Sequence, residues 1–408
     1  MERTILHCDC NSFFASVESA LNPQYRNVPM AVCGDPEDRH GIVLAKNELA
    51  KKYGIQTAET VFSAKKKCPS LVIAPPHHIE YQKYSRLVNN IYSEYTELVE
   101  PFGIDESWLD VTASKRLFGT GEEIAHQIRE RVKRELGITI SVGVSFNKVF
   151  AKLGSDYKKP DAVTVISKEN FKSIVFPLPV SDLLYVGKKT TEQLLSIGVR
   201  TIGNLAETSR ELLVKKLGKM GDMLYDYANG LDTTPVSVEG RDDLKSISNG
   251  FTFKHDLVSY QECKVGLDFL CDEIGRRLRE RHIKCNTVAL TIKDTYLVSI
   301  QRQRSLFNAT DISREISNTA FDILRSEWPE KKPIRMLTVS VSGFVDAANS
   351  YTQLDLFTDP CDDTREREKK REETIDEIRK KFGSLSISTG AILDSDIGVS
   401  GKGFKTNK

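Results

Sequence analysis

Three carboxylates sit where apolar runs give way to turns. Asp9 ends the run 3–8 and is followed by Cys10-Asn11-Ser12, while Asp105 and Glu106 fill the turn Gly103-Ile104-Asp105-Glu106-Ser107 between the runs 98–102 and 108–111. Each has an ordinary explanation by itself. An adjacent Asp-Glu pair is a solvated turn, and a carboxylate at a strand-to-helix turn answers the helix N-terminus. Brought together by a fold, they imply other chemistry, because close anions beside buried strands are costly unless a cation neutralises them. Hard oxygen ligands favour Mg²⁺, and two such ions about 3.5–4 Å apart would serve in-line phosphoryl transfer.

Cations accompany the carboxylates. Lys152, Lys158 and Lys159 flank a short helix in 150–160 that Pro160 stops. They read as a solvated helix end or as a counter-charge for a triphosphate. Residues 178–205 contain Val186-Gly187-Lys188-Lys189-Thr190-Thr191 and then Ile197-Gly198-Val199. Two short helices joined by a glycine hairpin suit helix-hairpin-helix binding to a DNA backbone. There Gly187, Lys188, Lys189 and Thr190 offer N–H donors and a favourable dipole to a phosphate. In 299–304, Arg302 and Arg304 share one face of a strand, which reads equally as a solvated face or a phosphate contact.

The elements that must position these groups come in a repeated order. Residues 3–9 read as a strand, 11–18 open a helix capped by Asn11 or Ser12, and 81–98 form a long helix. The turn at 105 closes a hairpin, 122–136 form a helix with Ile124, Ile128 and Val132 on one face, and 138–144 form a β-branched strand. This βαββαβ pattern is the ferredoxin-like split βαβ, whose first and third strands are neighbours, so Asp9 is expected beside Asp105 and Glu106. Strands at 30–33 and 41–45 and helical segments at 47–53 and 63–68 form an insertion. Residues 231–245 are charged and aperiodic, a linker. Strand 246–254, helix 259–281, strands 286–293 and 297–304, helix 311–326 and strand 334–343 then give a second βαββαβ unit. Residues 352–357 stand alone between loops, 364–381 are a charged helix candidate anchored by Ile375 and Ile378, and the last 20 residues read as mobile.

Composition bounds the function classes. A chain of 408 residues suits two to four domains. Its net charge of +1 means that any affinity for nucleic acid comes from local patches. There is no run of 18 apolar residues and no signal peptide ahead of the first strand, which argues for a cytoplasmic protein that does not engage a membrane. The eight cysteines lack Cys-x-x-Cys spacing and read as reduced core thiols.

Asp9 with 11–18, then Asp105-Glu106, then 151–160, in that order, resemble the Y-family translesion DNA polymerases. The nearest pattern is the bacterial DNA polymerase IV type, and the resemblance covers about 1–345. It implies an α+β, multidomain right hand: a ferredoxin-like palm (1–10 and 76–166), small fingers (11–75), a helix-hairpin-helix thumb (167–234), a linker (235–241), a βαββαβ little finger (242–346) and a flexible tail (347–408). It implies a monomeric, low-fidelity DNA polymerase that adds dNTPs to a primer on damaged template DNA, as in an SOS response. Asp9, Asp105 and Glu106, with the Cys10 carbonyl, would be ligands of two Mg²⁺ ions. Phe14, next to Phe13, falls on the steric-gate aromatic, and Lys159 on the triphosphate-binding lysine. Gln353-Leu354-Asp355-Leu356-Phe357 is similar to the peptide with which bacterial polymerases bind the β sliding clamp.

The chain departs from the pattern in two places. Asn11 stands where the polymerase IV pattern has a second Asp, although polymerase V-like subunits also carry Asn. Glu48 and Lys51 stand where many relatives have a Tyr and an Arg on the triphosphate. Lys51 keeps the charge without the bidentate fork of Arg, and Glu48 is no phosphate ligand. Two competing readings remain. A nucleotide cyclase on a similar palm explains Asp9 and Asp105 but neither the second unit nor the peptide at 353–357. A non-catalytic DNA-binding or clamp-bound scaffold has no need of all three carboxylates.

Overall fold

The strand Ile5–Cys10 is buried at every position and becomes the middle of a five-stranded sheet. Glu106–Asp110 and Ile140–Ser145 flank it, both antiparallel, and Val99–Pro101 and Val163–Ile166 form the edges. Its even-numbered side chains, Leu6, Cys8 and Cys10, meet the apolar stripes of helices His78–Ser93 and Gly121–Leu136 in one core. Its odd-numbered side chains face helix Lys148–Tyr157. That helix sits close because position 143 is glycine: a Cβ there would meet the Ala151 carbonyl oxygen at 1.9 Å. The computed structural model describes residues 2–34, 41–238, 244–348 and 364–399, and the chain divides into two units at 240/241.

The insertion forms a three-stranded sheet of Val43–Lys46, Met30–Cys33 and Val72–Ala74, with helices Phe13–Leu21, Glu48–Lys51 and Val61–Lys67. Helices Lys188–Leu195, Ile202–Glu207, Arg210–Leu217 and Lys219–Ala228 gather around Leu194, Leu205, Leu213 and Leu224. The helix expected over 81–98 is displaced to His78–Ser93, and Tyr95 beyond it turns inward against Phe118. The first part of the expected linker is packed: Val236 is buried with Ile5, Trp108 and Ala151, and Arg3 donates to the Thr233 and Thr234 carbonyls.

The second unit has the expected element order, with longer strands: Ser246–Leu257, helix Tyr260–Glu280, Ile283–Lys293, Ser299–Thr310, helix Ser313–Glu327 and Ile334–Asp346. Its sheet closes differently from the first. Here the last strand lies between the first and second, whereas in the five-stranded sheet the first strand lies between Glu106–Asp110 and Ile140–Ser145, the third and fourth strands of the βαββαβ order.

The flexible tail expected over 347–408 needs correction for 364–399. Helix Thr364–Phe382 docks on this unit through Arg279, which meets Glu372 and Asp376, and through Arg379, 2.8 Å from Asp272. Ile392, Ile397 and Val399 are buried in the unit's core. The seven described cysteines are buried and unpaired. Among the described residues no helix is long and apolar enough to cross a membrane.

Candidate active site

Strand register decides the site. Asp9 lies directly opposite Glu106, and the Cys10 N–H donates to the Asp105 carbonyl at 3.0 Å. Neighbouring strand ends therefore supply all three carboxylates to one rim. They open on a cavity of about 460 Å³, also lined by Cys10, Phe13, Phe14, Lys46, Lys51, Thr57 and Lys159. Of the residues singled out in the sequence, the three carboxylates, Cys10, both phenylalanines, Lys51 and Lys159 thus share one wall-to-wall space.

The electrostatics are those of anions held partly out of water. Burial pushes Asp9 up to about 6, opposed by the Lys159 ammonium 2.7 Å from its Oδ2. Asp105 is also raised, first by burial and then by the Glu106 charge. Glu106 goes to about 2: burial would raise it, but the contacts from His7 and Lys152 outweigh burial. Two ammonium groups already sit against this trio, which marks it as a place that favours positive charge. A set of hard carboxylate oxygens so arranged fits a divalent cation.

His7, Lys152 and Ser155 form a layer behind the rim that the sequence alone did not reveal. His7 is fully buried and neutral, its pKa lowered to about 4 by burial. Its Nδ1 lies 2.8 Å from Ser155 Oγ, and its Nε2 lies 3.2 Å from Glu106 Oε2. Lys152, one of the lysines read as a triphosphate counter-charge, pairs with Glu106 instead. The signal was the alternation along the first strand, which puts His7 on the same face as Asp9.

Phe13 is 3% exposed and belongs to the palm core, whereas Phe14 is stacked on Tyr81 with ring centroids 4.1 Å apart. Asn11 is buried, with its Oδ1 accepting from Ser141 Oγ at 2.8 Å and its Nδ2 donating to Thr139 Oγ1 at 3.1 Å. The amide thus serves both hydroxyls from one uncharged side chain. Glu48 Oε1 takes both Lys51, at 2.6 Å, and the Ser12 hydroxyl, at 3.1 Å.

Away from the cavity, Gly187 caps helix Lys188–Leu195, with Lys188 and Lys189 exposed and Thr190 half-buried. Arg302 and Arg304 pair across from Leu290 and Val288, so they stand on the helix side of their sheet. There they meet Glu327 at 3.0 Å and Asp322 at 3.7 Å. The opposite face carries Gln301, Gln303, Thr291, Thr338 and Ser340. Residues 353–357 lie outside the described residues.

A palm-like sheet with a carboxylate rim, an insertion facing it and a helical module behind defines a nucleotidyl-transferring right hand. Comparisons with known proteins agree. Residues 8–156 match the impB/mucB/samB family, 244–356 its C-terminal domain, and 181–232 the DNA polymerase-iota thumb domain. The chain is 48% identical to the DNA polymerase IV of Acetivibrio thermocellus over 394 residues, covering 96% of this chain and 98% of that one. It is 37% identical to the DNA polymerase IV of Clostridium kluyveri over 397 residues, covering 96% and 99%. A solved Y-family DNA polymerase chimera shares the fold at a TM-score of 0.75 and 22% identity, covering 84% of this chain and 99% of that one. The chain belongs to the Y family of DNA polymerases.

Proposed function

We propose that this DNA-directed DNA polymerase performs translesion synthesis through two Mg²⁺ ions held by Asp9, Asp105, Glu106 and the Cys10 carbonyl. The observation that carries the reading is the strand register that sets Asp9 against Glu106, with Asp105 beside them, at the mouth of a cavity sized for a nucleotide. Its substrates are primer–template DNA and dNTPs. The metal, when bound, stabilises charge developing at the reacting phosphate. Around it, the chain's own residues have separate tasks. Phe14 rests against the sugar and excludes a 2′-hydroxyl, while Phe13 anchors the helix that carries it. Lys159 and Lys51 supply positive charge to the triphosphate.

DNA is held by Gly187, Lys188, Lys189 and Thr190 at the helix N-terminus of the thumb. Arg302 and Arg304 reach a phosphate only by exchanging Glu327 and Asp322 for it, and the polar face opposite them is the broader surface offered to a duplex. The peptide 353–357 engages a sliding clamp. The enzyme works as a monomer in the cytoplasm, where its DNA substrate lies. The cyclase and scaffold readings are not favoured: neither uses a thumb, a little finger and three carboxylates together.

The test is primer extension with Mg²⁺ on plain and damaged templates. Asp105→Ala should abolish nucleotide addition while leaving primer–template affinity within a few fold, because the carboxylates act on the reacting phosphate and not on the duplex. Near-normal extension by the variant would sink the assignment.

A further inference from the structure

We propose that Lys46 is a further cation, beside Lys159 and Lys51, that grips the phosphates of the incoming nucleotide from the fingers side, an assignment that rests on the polymerase reading above. Three lysines line the cavity, and two are already engaged. Lys159 is 2.7 Å from both Asp9 and Asp156, and Lys51 is 2.6 Å from Glu48. Lys46, at the end of strand Val43–Lys46, forms no ion pair among the described residues. Its ammonium donates to the Thr57 hydroxyl at 3.0 Å, and Thr57 lines the same cavity.

A neutral hydroxyl orients the lysine without cancelling its charge, which a carboxylate would do. Burial and the nearby Lys51 charge both disfavour the Lys46 ammonium. An anion entering the cavity relieves that penalty, and the pre-set side chain has less rotamer freedom left to lose. Phosphate oxygens are the ligand chemistry that a compact ammonium and a hydroxyl at one cavity wall suit. Glu48 then has a task of its own. It ties Lys51 to Ser12, whose left-handed backbone, φ 49°, turns the chain directly after the Asp9 strand.

Steady-state primer extension with each of the four dNTPs tests this. Lys46→Met should raise KM about 10-fold or more for all four, with kcat within about twofold and the primer–template Kd unchanged, the pattern of a lost ground-state contact to phosphate. Lys46→Arg should recover most of the loss. Thr57→Val should raise KM by a smaller factor. Inorganic tripolyphosphate should inhibit the wild type more strongly than Lys46→Met, which reads the phosphate contact with no base present. An unchanged KM, an effect confined to one dNTP, equal inhibition of both proteins by tripolyphosphate, or a weakened Kd for DNA would overturn the proposal. Absence of extension by the wild type in the same assay would instead bring down the polymerase reading.

Discussion

Asp9 carries a folding penalty, because burial disfavours its charged form. Its pKa is about 6 in the folded chain against 3.8 for an ordinary aspartate, because burial disfavours the charged form more than Lys159 favours it. Between those two values the native state holds a proton that the unfolded state has released, so stability falls as pH rises from 3.8 to 6, and the full cost is present above 6. Asp9→Asn in a chelating buffer should therefore stabilise the fold at pH 8 by on the order of 1–3 kcal/mol, read as a higher melting temperature, with an advantage that shrinks towards pH 4 while activity is lost. A variant that melts below the wild type at pH 8 would contradict this account. Phe14 makes a second residue-scale case. It lines the cavity and stacks on Tyr81 while Phe13 fills the core. Phe14→Ala should keep dNTP incorporation and gain rNTP incorporation by orders of magnitude. A core phenylalanine would instead lose about 3–5 kcal/mol and both activities together. The ratio of kcat/KM for dNTP and rNTP, with a melting curve alongside, separates the two, and an unchanged ratio with a lowered Tm excludes the gate.

The carboxylate rim is only as well placed as the helix behind it. Lys148–Tyr157 carries Lys152, which pairs with Glu106, and Ser155, which meets His7. Its closeness to strand Ile140–Ser145 depends on Gly143, since a methyl group there would meet the Ala151 carbonyl oxygen at 1.9 Å and the Ser155 nitrogen at 2.5 Å. Both are backbone atoms on a packed helix, with no flexible side chain to yield. Gly143→Ala should cost roughly 2 kcal/mol or more, and it should lower kcat as well, because the helix cannot shift without carrying Lys152 and Ser155 from Glu106 and His7. Wild-type Tm and kcat in this variant would show that the helix seat has slack. The second unit illustrates the same dependence on pairing: register alone turns Arg302 and Arg304 towards helix Ser313–Glu327, where carboxylates meet them.

At the scale of the whole chain, the segment 364–399 is part of the second unit's fold. Arg279 is almost fully buried against Glu372 and Asp376, and Glu372 also accepts from the Ser313 N–H at 3.0 Å. A buried arginine left without its carboxylates would be costly, so the helix belongs to the second unit's fold. The peptide 353–357 is therefore followed by residues that return to the same unit that precedes it. Leu356→Ala with Phe357→Ala should remove clamp-stimulated synthesis and spare basal extension, measured with and without added sliding clamp. Stimulation that survives the double substitution would mean that another surface meets the clamp.

Local signals carried much of this protein. Alternating and helical periodicity marked the order of elements in both units, because each side chain's burial follows from its own backbone period. The motifs around Asp9, Asp105-Glu106 and 151–160 marked the rim, since turn and strand-end positions are written in neighbouring residues. What the sequence could not determine depends on contacts between distant positions. Two units with the same βαββαβ order close their sheets in different strand orders, a choice made by which faces pack and not by any one strand. The sequence marked 364–381 as a charged helix with few apolar anchors besides Ile375 and Ile378, and Arg279, about 90 residues away in the chain, gives its carboxylates a buried partner. Lys152 read as a solvated helix end or a counter-charge for a triphosphate, and Lys46 carried no signal of its own in the sequence. Only the folded chain sets one against Glu106 and brings the other to the cavity wall beside Thr57, because an ion pair is decided by distance in space and not along the sequence.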